Sequence, residues 1–239
     1  MPAIKQFNIR PLYQQVADEF ITRIVSRQWA PGQIIENESD IARSLGISIG
    51  TVRKAFDVLA EYALLERQQG RGTIVADLSS ESMQSRFSNI LDETGEKAVL
   101  STEVENAELQ KARPEVSTAL GLTDKSTVLR FERNRKFKGR LVLKETVFIP
   151  CDASRKSMPQ DKLRSLAEGG WAANGLATRK SERITPALAS ADDAAALGIS
   201  QGAPVLHLER VIHSYENVAL ELCYSVCNLG DDLSYGVES

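Results

Sequence analysis

Apolar residues in the first quarter of the chain recur at helical spacing in three separate segments. In the first segment Leu12, Val16 and Phe20 lie four residues apart, which predicts a helix with one apolar face. The second segment, between Asn37 and Gly46, is bounded by a helix-capping residue and a helix-ending glycine. A third helix is expected after Ser48. Its inward-facing positions are Val52, Ala55, Phe56 and Leu59.

A pattern typical of a β-hairpin follows the third helix. The stretch "LLERQQGRGTIV" has two strand-like runs around the loop "QGRG", whose glycines permit positive φ angles. A short capped helix, a glycine turn, a longer capped helix and a hairpin together indicate a winged helix-turn-helix. The wing carries Arg67 and Arg71 beside its glycines, so its backbone can approach phosphate groups closely.

The stretch from Pro11 to Val75 closely resembles the winged-helix domain of the GntR family of bacterial transcription factors. The resemblance implies that the third helix is a recognition helix. Ser39 and Ile49 depart from the family, which usually carries arginine at the first position and often at the second. Ile49 either contacts a thymine methyl group or has no role in binding DNA. The DNA-binding residues implied are Ser48, Gly50, Thr51, Arg53, Lys54, Gly70, Arg71 and Gly72.

The second half of the chain contains an internal repeat. Residues 119–145 align with residues 196–221, and each copy reads as the end of a short helix, a glycine, a long strand, a turn and a second strand. In this alignment Arg133 matches Arg210 and Glu145 matches Glu221. Two such units predict one antiparallel sheet with the two repeat helices on one side, in an α+β domain.

Two arginines of the first copy are expected on one face of a strand. Arg133 and Arg135 alternate with polar residues and share that face with two phenylalanines, whereas the second copy has one cation there. Burying guanidinium groups is costly unless something anionic pairs with them. The pattern leaves two alternatives: these arginines pair with Glu145 and Glu221 or remain at the surface, or they bind a ligand.

From about Phe87 to Ser239 the chain resembles the effector-binding UTRA domain. This domain occurs in the HutC subfamily of GntR regulators and shares the chorismate-lyase fold. The segments on which this resemblance rests include "RFSNILDETG", "FERNRKFKGRLVLKETVFIP" and "VALELCYSV". Ala167 departs from sugar-phosphate binders, which usually have an aromatic residue there. The effector-binding residues expected from the strand pattern and the resemblance are Ser88, Arg133, Arg135, Glu145, Ser165 and Glu221.

Composition adds limits to this interpretation. A hydrophobic fraction of 42% supports a folded core, and the net charge of −3 argues neither for nor against nucleic acid. The first 78 residues hold nine Lys/Arg and nine Asp/Glu, so affinity for DNA must come from local placement. Three sparse cysteines and no signal sequence or membrane-spanning run indicate a cytoplasmic protein. No metal or cofactor is expected.

These observations predict a winged helix-turn-helix domain over 1–75, a Ser-rich linker over 76–86 and an effector-binding and dimerisation domain over 87–239. The expected function is a ligand-responsive transcriptional repressor. It binds a near-palindromic operator in double-stranded DNA as a homodimer, because one winged helix reads only a few base pairs. The expected effector is a sugar phosphate or a small organic acid, which releases the repressor from the operator.

Two alternatives come from other functional classes. The first is an enzyme resembling chorismate lyase, but the sequence shows no coupled general acid and base and no nucleophile motif. The second is a DNA-binding protein whose second domain binds no ligand. The sequence favours the regulator over both.

Overall fold

A computed structural model of the chain describes residues 10–77, 87–123, 125–152, 158–173 and 175–236. The chain divides into two compact units, Met1–Ser82 and Met83–Ser239. Of the predicted linker over 76–86, residues 78–86 lie outside the described residues.

The first unit is a small helical domain with a two-stranded hairpin. The described residues form helices α1 (Leu12–Val25), α2 (Glu38–Leu45) and α3 (Ile49–Glu61). Strands β1 (Leu65–Gln68) and β2 (Gly72–Val75) then pair in antiparallel fashion. The three helices and the hairpin expected from the sequence are therefore confirmed.

Local side-chain chemistry explains where α2 and α3 begin and end. Asn37 accepts a hydrogen bond from the backbone N–H of Asp40, and Ser48 accepts one from that of Thr51. Gly46 ends α2 in the left-handed conformation, with φ of 65°. The apolar faces meet in a core that contains Phe20, Val52, Ala55, Phe56, Leu59 and Leu64.

The second unit is built on an antiparallel sheet. Six strands among its described residues are ordered β4-β5-β6-β9-β8-β7, and a separate pair joins β3 to β10. The strands are β3 (Ile90–Asp92), β4 (Ser101–Lys111), β5 (Thr127–Phe137), β6 (Arg140–Cys151), β7 (Ala177–Leu188), β8 (Pro204–Ser214), β9 (Ala219–Cys227) and β10 (Leu233–Tyr235). The helices are α4 (Pro114–Leu120), α5 (Gln160–Gly169) and α6 (Ala191–Leu197), with a 3₁₀ turn at Gly170–Ala173.

The internal repeat explains this strand order. Each copy supplies one hairpin, β5–β6 or β8–β9, and the two hairpins meet where β6 pairs with β9. Val147 and Cys223, each two residues beyond the matching glutamates, pair directly at this junction. The sheet is thus the product of two similar halves that meet along its midline.

Helices cover both faces of the sheet. The repeat helices α4 and α6 pack on the face that carries Phe148 and Val226, which confirms their predicted common side. Helix α5, which lies outside the repeat, packs on the opposite face beside Phe131. None of the described helices is long and apolar enough to cross a membrane.

Candidate DNA-binding face and effector cluster

The first unit has an open groove between the start of α2, the start of α3 and the wing. The groove brings together Arg53 from α3 and the wing residues Gly70, Arg71 and Gly72, all of which the sequence predicts to contact DNA. The other predicted residues, Ser48, Gly50, Thr51 and Lys54, lie at or near the start of α3. The groove is also lined by Glu38, Ser39, Ile49 and Arg67.

Ser48 and Thr51 fix the start of α3. The Ser48 hydroxyl accepts from the Thr51 N–H at 3.1 Å and is 2.9 Å from the Thr51 hydroxyl. Lys54 lies farther along the helix, with its ammonium group 5.8 Å from the centre of the Tyr13 ring. The cap satisfies one of the free N–H groups of the first turn and leaves others for an acceptor such as phosphate.

The wing has the backbone geometry that the glycines predict. Gly70 and Gly72 have φ of 77° and 98°, a region that other residues adopt at a cost. The Arg71 N–H donates to the Gln68 carbonyl at 3.0 Å, which closes the turn and leaves the Arg71 side chain exposed. The loop tip therefore presents a cation on a fixed backbone.

Carboxylates hold two arginines of this face. Arg53 Nε donates to Glu38 Oε2 at 2.9 Å, and Arg67 Nη2 donates to Asp57 Oδ1 at 2.7 Å. Arg67 also lies 3.7 Å from the other oxygen of Glu38. Glu38 was not identified from the sequence, because it lies 15 residues before Arg53 and only the packing of α2 against α3 brings the two together.

In the second unit a cluster of charged side chains is buried in the middle of the sheet. We call it the effector cluster, after the role that the sequence predicts for most of its members. It contains Arg133 and Arg135 on β5, Glu145 on β6, Arg210 on β8 and Glu221 on β9. The Arg133 and Glu145 side chains are 2% and 0% exposed. The predicted alternation on β5 is confirmed, and both arginines pair with Glu145 rather than lying at the surface.

Glu145 is the shared acceptor of the effector cluster. Its Oε2 accepts from Arg133 Nε at 2.5 Å and from Arg135 Nε at 3.1 Å. Its Oε1 accepts from Arg210 Nη2 at 3.1 Å and from the Ser225 hydroxyl at 3.2 Å. Burial alone would raise the pKa of Glu145, but the three guanidinium groups outweigh it and hold the pKa far below its usual range. Glu145 is therefore a fixed anion.

Glu221 differs from Glu145 because one of its oxygens is unused. Its Oε1 accepts from Arg133 Nη2 at 2.8 Å. Its Oε2 is buried and has no hydrogen-bond partner among the described residues. A side-chain carbon at Gly170 would lie 3.3 Å from this oxygen, so the glycine leaves the oxygen room on that side. A buried carboxylate oxygen without a donor is costly, and a ligand that donates a hydrogen bond would remove that cost.

Arg210 is a cluster residue that the predicted site left out. It bonds to Glu145 and also lies 3.5 Å from the backbone carbonyl of Phe87, which accepts from Lys180 Nζ at 2.8 Å. The Phe87 ring packs edge-on against Trp171, with 6.1 Å between ring centres. The sequence did contain a signal for Arg210, because the repeat equates it with Arg133.

The two predicted serines lie in different surroundings. Ser88 is buried, accepts from the Ile90 N–H at 3.3 Å and lines a small pocket with Arg135 and Glu145. Ser165 is exposed on α5. It lies two residues from both Leu163 and Ala167, which are buried, so it points away from the sheet. The structure therefore groups Ser88, but not Ser165, with the buried arginines.

The structure offers little support for metal or thiol chemistry. Over the described ranges, no group of three or more His, Cys, Asp or Glu side chains could hold a metal ion. Cys151, Cys223 and Cys227 are free thiols. Burial and the neighbouring Glu145 raise the pKa of Cys223 to about 11, which keeps the thiol protonated at neutral pH.

Two family models match the chain in the order of its two units. The model of bacterial regulatory proteins of the gntR family matches residues 12–75, and the UTRA domain model matches residues 95–230, more than half of the chain. The chain belongs to the GntR family of bacterial regulators, in its UTRA-containing HutC type. As a GntR regulator it joins a DNA-binding domain to an effector-binding domain. Arg133, Arg135, Glu145, Arg210 and Glu221 lie within the UTRA match.

Relatives of this GntR regulator are named as repressors. It is 25% identical over 218 residues to the transcriptional repressor NagR of Bacillus subtilis, covering 90% of each chain. It is 26% identical over 211 residues to the mannosyl-D-glycerate transport/metabolism system repressor MngR of Escherichia coli, covering 86% of each. A ligand-binding domain of a GntR-family regulator from Bordetella bronchiseptica aligns with a TM-score of 0.55. That alignment covers 64% of this chain and 97% of the other at 18% identity, and it supports the fold.

Proposed function

We propose that this GntR regulator is a repressor that binds its operator through α3 and the wing and leaves it when a small effector binds the effector cluster. The observation that carries the proposal is the groove of the first unit, where Arg53 and the wing residues Gly70, Arg71 and Gly72 face one space. The names of the relatives support repression rather than activation of transcription.

In the proposed complex the start of α3 lies in the major groove. Ser48, Gly50 and Thr51 bring the first helical turn close to the DNA, and Arg53 reaches base edges. The wing places Arg71 at the phosphate backbone, where its contact fixes position rather than sequence. Two copies of the chain on a near-palindrome read twice as many bases, which is the physical reason for a homodimer.

The proposed effector is a sugar phosphate or a small organic acid that also donates a hydrogen bond. Three buried guanidinium groups support an acidic ligand, and the unpartnered Oε2 of Glu221 supports a hydroxyl or amine donor on it. Glu145 has no acceptor site to spare, so its role is to hold the arginines in place. Ser165 stays a predicted contact without a neighbouring cluster residue.

The proposed link to DNA binding begins at Phe87. We assign residues 1–75 to DNA binding, 76–86 to a linker and 87–239 to effector binding and dimerisation. Phe87 is the first residue after this linker, and its carbonyl accepts from Lys180 and Arg210. An effector that draws Arg210 away from Glu145 would alter this hold. The effector can shift Arg210 only to the extent that it binds the protein more tightly with Arg210 moved than with Arg210 bonded to Glu145.

The proposal includes that the chain is a cytoplasmic regulator and not an enzyme. A general acid must hold a proton that it can donate near neutral pH, whereas the arginines keep Glu145 ionised. A thiol nucleophile must ionise readily, whereas the raised pKa of Cys223 opposes this. The buried charges of the effector cluster thus suit binding rather than turnover.

A pair of substitutions tests the two halves of the proposal. The wild-type chain is first used to select duplexes from a random DNA pool, and sugar phosphates and small acids are then screened for release of the selected duplex. Arg53→Ala should weaken operator binding by about 5- to 150-fold, because one arginine–guanine contact is worth about 1–3 kcal/mol. The Glu221→Gln variant should bind the operator normally, but the effector should no longer release it from the DNA. Fluorescence anisotropy of labelled duplex measures both.

Arg43→Ala is the matched control for the DNA contact. Arg43 is an exposed arginine of the same unit that pairs with Asp40 on α2. Its removal lowers the charge of the unit equally but leaves the groove residues in place. If Arg53→Ala and Arg43→Ala weakened operator binding equally, the assignment of α3 and the wing as the DNA-binding face would be contradicted. Release of pyruvate from chorismate would support the enzyme alternative instead.

A further inference from the structure

Glu38 lies at the meeting point of the three parts of the DNA-binding groove. It is the first residue of α2, its Oε2 accepts from Arg53 on α3, and its Oε1 is 3.7 Å from Arg67 on β1. Its side chain is 23% exposed, whereas that of Arg53 is 61% exposed. The carboxylate is therefore much less exposed than the arginine side chain that it holds.

An anion in this position has an electrostatic cost for a DNA-binding protein. A carboxylate beside the phosphate backbone repels it and reduces the number of counterions that binding releases. The cap of α2 does not depend on Glu38, because the Asn37 side chain supplies it. The described contacts of Glu38 instead concern the two arginines.

The hydrogen bond to Glu38 uses the inner nitrogen of Arg53. With Nε bonded to Glu38, Nη1 and Nη2 remain as the terminal donors of a side chain that is 61% exposed. Two terminal nitrogens held in one plane match the O6 and N7 acceptors of guanine in the major groove. A fixed side chain also loses less conformational entropy on binding than a free arginine does.

We infer that Glu38 is a positioning residue that sets the preference of this protein for guanine at the base read by Arg53. The inference rests on the proposed contact of Arg53 with DNA. Arg53 is the one arginine of α3, since Ile49 occupies the earlier position. Discrimination at that base therefore depends on how firmly the Arg53 side chain is oriented.

Asp57 provides a matched control. It is an exposed carboxylate on the same helix as Arg53, and it pairs with Arg67 at 2.7 Å. Replacing either Glu38 or Asp57 with alanine removes one negative charge from this unit and one anionic neighbour of Arg67. Of the two changes, only Glu38→Ala frees Arg53. A difference in guanine preference between the two variants therefore reports the orientation of Arg53 and not the loss of one negative charge.

The experiment uses full-length protein and a duplex selected from a random pool by the wild-type chain. Each guanine of the selected duplex is replaced in turn by adenine, and Kd is measured by anisotropy at one fixed salt concentration. Both variants should bind a non-specific duplex more tightly than wild type. Glu38→Ala should lose about tenfold of the preference at one guanine, and Asp57→Ala should keep it. Glu38→Gln, whose amide oxygen still accepts from Arg53, should keep part of it.

Three results would overturn the inference. The first is an unchanged guanine preference in Glu38→Ala while Arg53→Ala loses it, which leaves the proposed function intact. The second is an equal loss in Glu38→Ala and Asp57→Ala. The third is a wild-type preference that Arg53→Ala does not alter, which defeats the proposed Arg53 contact as well. Circular dichroism on each variant checks that the helices are retained.

Discussion

Glu145 is the residue on which the buried charges of the second unit depend. Its two oxygens accept bonds from three arginines, and its carboxylate is fully buried. A buried ion pair contributes little net stability compared with an apolar pair, but loss of one partner leaves uncompensated charge in a low-dielectric interior. In this cluster, loss of Glu145 would leave three guanidinium groups with fewer anionic partners.

We predict that Glu145→Gln lowers the free energy of unfolding by about 3–5 kcal/mol. The control is Glu103→Gln on β4, which breaks an exposed ion pair with Lys136 at 2.8 Å and should cost less than about 1 kcal/mol. Urea unfolding followed by circular dichroism compares the two. Equal costs would mean that Glu145 does not organise the cluster.

At the scale of elements, the two repeat helices end in the same way. Helix α4 stops at Gly121 with φ of 62°, and α6 stops at Gly198 with φ of 67°. Each glycine donates its N–H back to the last turn of its helix. A residue with a side chain adopts this left-handed conformation at a cost, so the glycine in "ALG" marks a structural requirement in both copies.

We predict that Gly121→Ala and Gly198→Ala each destabilise the chain by about 1 kcal/mol. Gly169→Ala is the contrasting change, because Gly169 lies within α5 and has open space around it. That substitution should be neutral or stabilising, since alanine favours helix. Thermal unfolding of the three variants measures the difference, and a stabilised Gly198→Ala would exclude a left-handed requirement at that position.

At the scale of the whole molecule, the effector cluster makes stability depend on pH. The folded state holds the pKa of Glu145 below its ordinary value of 4.5. Its stabilisation is therefore fully present above pH 4.5 and is lost as the pH falls toward the folded pKa, because only the unfolded chain takes up the proton.

We predict that stability of the second unit falls between pH 4.5 and pH 3, with Glu145 contributing up to about 1.4 kcal/mol per pH unit. A Trp29→Phe background leaves Trp171, which packs on Phe87, as the fluorescent reporter of this unit. Urea unfolding is measured at each pH. Adding Glu145→Gln should make the pH slope shallower, and an unchanged slope would contradict the assignment.

Much of the fold follows from local patterns. The spacing of Leu12, Val16 and Phe20 predicted α1, and the caps at Asn37 and Ser48 predicted where α2 and α3 begin. Alternation placed Arg133 and Arg135 on one strand face, as the structure has them. These features depend on neighbours within a few residues, so the periodicity of apolar residues and local conformational propensity are enough to predict them.

The candidate site was only partly predictable. The strand pattern and the resemblance together named Glu145 and Glu221 for the effector site, and the repeat equated Arg210 with Arg133. None of these indicated that Glu145 accepts from all three arginines. The order of strands in the sheet brings those donors together. Ser165 was predicted to contact the effector, but the face of α5 that carries it is exposed to solvent.

The sequence by itself determined the family, the helices and hairpin of the first unit, the repeat elements of the second, and the presence of cations in the wing and on β5. Only the tertiary structure decided that Glu38 meets Arg53, and that Arg133 meets Glu221, a residue 88 positions away. The reason is physical: apolar period and capping act over one or two turns, whereas the partner of a charged side chain is set by helix packing and strand register.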